Sequence, residues 1–342
     1  MSNTARVRVN AVGYYGWGNF GDELFRAVVT SHAERFWGEG AIVRTFVFPS
    51  IALRTSAGIV GRAVRAGEAI IGGLWADRVA FCGGSVLSAV SGTAALRLRW
   101  FGKRDALEAW GVSVGPFRDG DAAHEVAALL GSMRSVVVRD AKSVERSPVP
   151  VHLAGDLAAL HPMPRIEESQ RAGLTICPSV DAGESPNEVA SAIRTLLPER
   201  HAGSITLLAL NSRRNGGDVR FCEEVRRALA ASGIVSRVEH FTTIEQVLRR
   251  IAHSRAVWSQ RLHGLIAAYL CDVPVFVMTH HAKLDDFSAD IGLRDEFVLA
   301  GVEPRAHHVS AARETLRGFR GWTVDPELYA RQTKERYLRV AG

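Results

Sequence analysis

Along the whole chain, short apolar runs end in glycine or a charged residue and give way to a helical pattern, and this alternation limits the fold more than any other feature. The first run, Arg6 to Val12, alternates and then stays apolar, as a strand entering a core does. A glycine-rich loop follows, Gly13-Tyr14-Tyr15-Gly16-Trp17-Gly18-Asn19-Phe20-Gly21-Asp22-Glu23, then a helix with Phe25, Val28 and Val29 on one face. Asn19 is placed to cap that helix, with Asp22 three residues on as the acid of a capping box. Further strands are read at Ala41 to Phe48, at Asp77 to Cys82 ending in Gly83-Gly84-Ser85, and at Ala109 to Val114 ending in Gly115-Pro116. Two more are Ser135 to Val138, ending in Arg139-Asp140, and Val151 to Leu153, ending in Gly155-Asp156. Residues 51–76 read as mixed helix or loop.

The second half repeats the logic. Strands are read at Leu174 to Cys177, Ser204 to Ala209, Ser236 to His240, Ala256 to Ser259 and Val273 to Met278, with helices near 186–197, 216–231, 243–253 and 262–271. Strand–helix alternation in both halves predicts an α/β protein of two Rossmann-like parallel-sheet domains facing a cleft. The break His161-Pro162-Met163-Pro164 and the polar run Glu167 to Arg171 set the expected boundary. The expected domains are 1–165 and 166–325, closed by a charged helix over 326–342. A chain of 342 residues suits two cores of ordinary size.

Composition narrows the function classes. Hydrophobic residues are 47% and charged residues 23%, which is globular composition. The net charge of +6 comes mostly from arginine, which recognises phosphate and carboxylate with its planar fork. Thirty-six acidic residues are interspersed, no nucleic-acid motif occurs, and nucleic acid is not an expected partner. Cys82, Cys177, Cys222 and Cys271 stand far apart without a C-x-x-C pair, so small core residues are expected and no metal site. The first residues lack the apolar core of a signal peptide, and no run of about 18 apolar residues occurs, so the expected location is cytoplasmic. The run Arg97-Leu98-Arg99-Trp100-Phe101-Gly102-Lys103-Arg104 suits contact with an anionic inner membrane face, or a solvated helix end.

Several strand ends carry candidate chemistry. The Gly18-to-Glu23 loop offers close backbone approach and a helix N-terminus. It lacks G-x-G-x-x-G spacing and the lysine of a P-loop, which argues against nicotinamide and ATP. Tyr14, Tyr15 and Trp17 suit stacking on a sugar ring, while a tight turn with a capped helix explains the same residues. Gly18, Asn19, Gly21, Asp22, Glu23, Gly83, Gly84, Ser85 and Gly115 are the candidate binding positions there; the glycines could equally just turn the chain. Arg139 is either a carboxylate or phosphate clamp or an ion pair with Asp140 or Glu145. In Ser259-Gln260-Arg261-Leu262-His263-Gly264, the helical period begins at Leu262, so Arg261 and His263 stand at a strand-to-helix junction. An anion there would meet a guanidinium, an imidazole and backbone N–H groups. In Thr279-His280-His281-Ala282-Lys283, adjacent histidines suggest a metal only weakly, and Lys283 adds positive charge.

Together these motifs resemble the polysaccharide pyruvyl transferase family. The matching pieces are Gly-Asn-Phe-Gly-Asp-Glu at 18–23, Gly83-Gly84-Ser85, Gly-Val-Ser-Val-Gly-Pro at 111–116, Val-Val-Arg-Asp-Ala-Lys-Ser at 137–143, Gly155-Asp156 and Arg261-Leu262-His263-Gly264, in the family's order over roughly residues 8 to 290. The resemblance implies a GT-B-like fold and transfer of pyruvate from phosphoenolpyruvate to a sugar as a ketal, without a cofactor. It also implies that Arg139, Arg261 and His263 match catalytic and donor-binding positions. The family often has alanine where this chain has Gly264. The acceptor, a polysaccharide, glycolipid or lipid-linked sugar, is not identified by any motif. Two other readings stay open: a GT-B glycosyltransferase using a nucleotide sugar, and a peripheral membrane- or polyanion-binding protein.

Overall fold

The computed structural model describes residues 6–48, 58–84, 87–88, 90, 105–199, 203–213, 217–299, 301 and 303–341. The chain divides into two compact units, the first made of Met1–Trp17, Gly21–His161 and Arg331–Gly342, the second of Gly18–Phe20 and Pro162–Ala330.

The first unit is built on a parallel sheet of β1 (Arg8–Val12), β2 (Ile42–Arg44), β3 (Arg78–Cys82), β4 (Leu107–Val112), β5 (Met133–Val138) and β6 (His152–Leu153), in the order β2-β1-β3-β4-β5-β6. Its helices are α1 (Phe20–Ser31), α2 (Ala33–Trp37), α3 (Ile59–Trp75), α4 (Gly120–Gly131) and α5 (Ala141–Arg146). Alternate residues of each strand feed separate cores. Val9, Ala80, Trp110 and Val137 pack with Phe25, Val28 and Val29, the face expected of α1. Val79, Phe81, Ala109 and Val136 pack with Leu129 and Leu130 of α4. Both faces are thus covered, as a parallel sheet requires. Glu108 lies buried within β4 and is tolerated because it accepts from Trp37 Nε1 (2.7 Å), Trp110 Nε1 (3.0 Å) and Arg78 Nη1 (2.7 Å). Tyr337 of the C-terminal helix Pro326–Ala341 closes the first core and donates to the Gly155 carbonyl at 2.8 Å.

The second unit carries β7 (Leu174–Cys177), β8 (Ile205–Ala209), β9 (Ser236–His240), β10 (Ala256–Ser259) and β11 (Val275–Val277), all parallel, in the order β11-β10-β7-β8-β9. The helices are α6 (Pro186–Leu196), α7 (Asp218–Ala231), α8 (Ile244–Ala252), α9 (Leu262–Leu270), α10 (Ala282–Asp290) and α11 (Ala306–Leu316). Ser185 and Glu188 form a full capping box on α6, and the Thr243 hydroxyl accepts the Gln246 N–H to start α8. The sequence pattern marks α6 to α9 but no helix beyond 281 before the C-terminal one. α11 explains why: it buries His308, Ala311, Ala312 and Thr315, small or polar residues that leave no apolar period to read. Among the described residues no helix is long and apolar enough to cross a membrane.

Candidate functional site

Open parallel sheets bind ligands outside the carboxyl ends of their strands, where the strand order reverses. In the second unit the chain steps from β7 to β8 to β9 on one side, then returns to the other side of β7 as β10 and β11. The reversal therefore lies between β7 and β10. Ser259 pairs with Cys177 there, and the Gln260 N–H donates to the Cys177 carbonyl at 2.9 Å. The Ser259 hydroxyl donates to the Arg261 carbonyl at 2.7 Å and accepts the Arg261 N–H at 3.0 Å, which turns the chain into α9. A Cβ on Gly264 would lie 2.4 Å from that hydroxyl and 3.1 Å from Cys177 Sγ, so α9 sits directly on the strand ends.

Arg261 is the residue before α9, and its guanidinium is held from two sides. Nε donates to Asp218 Oδ2 at 2.9 Å, Nη2 bonds Asp218 Oδ1, and Nη1 donates to Asp181 Oδ2 at 2.7 Å. The two acids differ: the Asp218 side chain is fully buried, whereas that of Asp181 is 66% exposed. Asp218 opens α7 and also accepts the N–H of Val180 (3.2 Å) and of Asn211 (3.0 Å). One carboxylate thus ties together the chain leaving β7, β8 and β10. Burial pushes its carboxyl above the ordinary aspartate value, against the hydrogen bonds and charge of Arg261. Burial alone would lower the Arg261 guanidinium; its bonds and charge contacts with Asp218 and Asp181 outweigh that and raise it.

A second chain of bonds runs beside the first. Gln260 Oε1 accepts the Ser179 N–H at 3.1 Å, Gln260 Nε2 donates to Glu184 Oε2 at 3.3 Å, and the Thr279 hydroxyl donates to Glu184 Oε1 at 2.8 Å. His263 lies in the first turn of α9, half-buried. After β11, His281 accepts the Lys283 N–H on Nδ1 at 3.3 Å and starts α10, and His280 pairs with Asp285 at 3.1 Å. Burial first, then the Lys283 charge, lowers the His281 imidazole, while Asp285 and Asp181 oppose this. Asp181 therefore stands within electrostatic reach of both Arg261 and His281.

Gly18 and Asn19 belong to this unit too. The Gly18 carbonyl accepts the Ser212 N–H (2.8 Å) and hydroxyl (3.2 Å), Asn19 bridges Asn211 antiparallel, and the Phe20 N–H donates to Leu210 at 2.9 Å. Their backbone is used in pairing with the chain after β8.

In the first unit the order reverses between β1 and β3, where the glycine loop and Gly83-Gly84 emerge. Tyr15, expected among exposed stacking aromatics, is instead buried and donates its hydroxyl to the Cys82 carbonyl at 2.7 Å. Tyr14 stays exposed, edge-on to Trp17 at 5.9 Å. Glu23 accepts the Gly16 N–H, and Asp22 is buried in the same first turn of α1, so acids already answer that helix dipole. Gly83 has φ +71, and its Cβ would sit 2.2 Å from the Phe25 ring, so this glycine serves close packing. Gly84 accepts the Ser113 N–H at 3.0 Å, and Gly115 donates to Leu87 at 3.1 Å. Arg139, at the end of β5, is buried between Asp140 and Asp156, both at 3.4 Å. Glu145, the other partner weighed for it, pairs with Lys142 at 2.7 Å instead. Asp140 also caps α5 through the Ser143 N–H (2.7 Å) and accepts the Ser113 hydroxyl (2.9 Å). Burial raises the Asp156 carboxyl, and Arg139 counters it. Ser85 and residues 97–104 lie outside the described residues.

Sequence reasoning missed Asp181, Glu184, Asp218 and Gln260. Asp218 lies 43 residues before Arg261 and reads only as the acid of a helix start. All four cysteines are buried and unbridged; burial pushes the Cys177 thiol up to about 12. Among the described residues no group of three or more metal-ligating side chains is placed to hold an ion. A cavity of about 1070 Å³ lies elsewhere in this unit, lined among others by Arg294, Glu303, Arg305, His307, His308 and Glu314. Its charges are mixed, and it shares no residue with the network around Arg261. We place the candidate chemistry at the β7–β10 reversal.

A family model described as polysaccharide pyruvyl transferase matches residues 19–282. No curated protein matches the chain. Among solved structures, the chain is similar to UDP-N-acetylglucosamine 2-epimerase from Rickettsia bellii, at 11% identity and TM-score 0.60, over 98% of this chain and 96% of that one. It is also similar to the UDP-GlcNAc 2-epimerase from Neisseria meningitidis bound to UDP-GlcNAc, at 8% identity and TM-score 0.57, over 97% and 99%. At these identities the likeness shows the GT-B-like fold alone.

Proposed function

The chain belongs to the polysaccharide pyruvyl transferase family, and from that premise we propose that it moves pyruvate from phosphoenolpyruvate to two hydroxyls of a sugar. The sugar acceptor stands in a polysaccharide, a glycolipid or a lipid-linked precursor; the product is a ketal and inorganic phosphate. The reading rests on Arg261, whose fork is fixed by buried Asp218 while its Nη1 meets only the exposed Asp181. An exposed ion pair is worth about 0–1 kcal/mol, so a donor carboxylate or phosphate can replace Asp181 at Nη1 without disturbing Asp218. Lys283, whose charge acts on His281, is the proposed contact for the second anionic group.

His263 is the proposed proton donor. It protonates the methylene carbon of the enol phosphate, C2 becomes electrophilic, and the first hydroxyl attacks C2. Phosphate then leaves with the C–O electron pair, the second hydroxyl closes the ketal, and both hydroxyl protons pass to base and water. Arg139, enclosed by two carboxylates, takes the part of a positioning residue. Gly21, Asp22, Glu23, Gly83, Gly84 and Gly115 shape loops in this reading. No cofactor is required.

The fold likeness to UDP-sugar enzymes favours one second reading, a nucleotide-sugar glycosyltransferase whose diphosphate takes the same position. Product analysis separates them. Phosphate released from phosphoenolpyruvate in the presence of candidate glycans, lost in Arg261→Ala and with a lower donor KM in Asp181→Asn, supports pyruvyl transfer. UDP released from UDP-sugars, with phosphoenolpyruvate inert, overturns it.

A further inference from the structure

The reaction proposed above needs a group to take the proton of an attacking hydroxyl, and the carboxylates at the strand ends of the second unit differ in how free they are to do so. Asp218 is fully buried and takes Arg261 on both oxygens. Asp181 is exposed and bonds Arg261 Nη1, and Asp285 stands against His280 at 3.1 Å. Glu184, half-buried in the loop after β7, is held otherwise. Its Oε1 accepts the Thr279 hydroxyl at 2.8 Å, and its Oε2 accepts Gln260 Nε2 at 3.3 Å. Among the described residues no lysine, arginine or histidine makes an ion pair with it.

The two donors come from different loops, Gln260 from the end of β10 and Thr279 from the end of β11, and both residues are buried. The Ser179 N–H can only donate, so Gln260 presents Oε1 to it at 3.1 Å, and the amide then turns Nε2 to Glu184. Neutral groups thus orient the carboxylate from two sides. A carboxylate has about four acceptor positions, so two donors leave room for a hydroxyl of the substrate. Gln260 directly precedes Arg261, which sets this carboxylate at the same strand ends as the guanidinium assigned to the donor. Asp181 lacks such a hold: once the donor replaces it at Nη1, no other hydrogen bond among the described residues orients its carboxylate. A general base has to be placed within hydrogen-bond reach of the proton it removes. Taking pyruvyl transfer as the reaction, on which this step rests, we propose that Glu184 is the general base for the acceptor. It takes the proton of the first sugar hydroxyl as that oxygen bonds C2, and passes it to a phosphate oxygen as the C–O bond to phosphate breaks.

The test is steady-state phosphate release by the full chain from phosphoenolpyruvate, with a glycan that the wild type turns over. Glu184→Gln keeps the shape without the charge, and its kcat should fall at least about 100-fold, the scale of general-base catalysis, with the donor KM nearly unchanged. Glu184→Ala should fall as far and regain part of its kcat when sodium formate supplies a carboxylate. A mere strut between loops would lose stability and would not answer to formate, so melting temperatures are read alongside. Glu184→Gln with near-wild-type kcat overturns the assignment and leaves pyruvyl transfer standing. So does a loss of kcat in Asp181→Asn that Glu184→Gln does not share. No response of Glu184→Ala to formate, with or without a lowered melting temperature, overturns it as well. A wild-type enzyme that releases UDP from UDP-sugars and no phosphate from phosphoenolpyruvate removes the reaction itself, and the base with it.

Discussion

Replacing Asp218 by alanine should cost the second unit far more than replacing Asp181, although both acids bind the same guanidinium. Asp218 is fully buried and takes four N–H groups: two from Arg261 and one each from Val180 and Asn211. Removing one partner of a buried ion pair costs about 3–5 kcal/mol, because the other charge stays uncompensated. Each backbone N–H left without an acceptor adds about 1–3 kcal/mol if water cannot reach it. Asp181 remains on Nη1 and relieves part of this, so about 4–6 kcal/mol is expected for Asp218→Ala. Asp218→Asn keeps the shape but turns an amide NH₂ toward other donors, and should cost about 3 kcal/mol. Asp181→Ala should stay within about 1 kcal/mol, as an exposed pair does. In a unit of this size, about 4 kcal/mol corresponds to a fall in melting temperature on the order of 10 °C. Thermal melts should be combined with hydrogen exchange of peptides spanning β10 and α9, because the first unit can melt separately. If Asp218→Ala proves no more destabilising than Asp181→Ala, the buried carboxylate is not what holds Arg261, and the argument for a fixed fork fails.

Stability should fall on acidification below neutrality. Burial lowers the imidazoles of His32, His281 and His308 from 6.5, so the unfolded chain binds more protons than the folded one as pH drops through that value. The urea midpoint should therefore decline from neutral pH towards about pH 5.5, and less steeply in His281→Gln and His308→Gln; a flat or rising midpoint would contradict this. Gly264→Ala should destabilise even though alanine gains about 1 kcal/mol in a helix, because the new Cβ meets Ser259 Oγ at 2.4 Å. Removing that hydroxyl in Ser259→Ala/Gly264→Ala should recover part of the loss; strictly additive losses in the double variant would exclude the steric cause.

Much of the architecture is local and was therefore legible. β7, β10 and α9 each declare themselves by an apolar run and a helical period, and Ser259-Gln260-Arg261 marks the junction between them. The face of α1 made by Phe25, Val28 and Val29 is equally a matter of period, and it packs as the period demands. Such patterns record which side of one element meets a core, and hydrophobic burial then enforces it.

What the folded chain alone decided is the pairing of distant residues. The order β11-β10-β7-β8-β9 sets the reversal beside Arg261, yet each strand reads the same whichever neighbour it has. Arg139 could be a clamp or an ion pair on its own sequence; only the fold sets it, buried, between Asp140 and the distant Asp156. Tyr15 and Tyr14 are adjacent and alike, but only Tyr15 turns inward to Cys82. Residues 51–76 read only as mixed helix or loop; the fold shows that α3 buries Gly61, Ala69, Gly72 and Gly73 and leaves Ile71 and Leu74 exposed. Period is written within one element, whereas charge compensation and close approach depend on elements far apart in the chain, and these become definite only when the sheet closes.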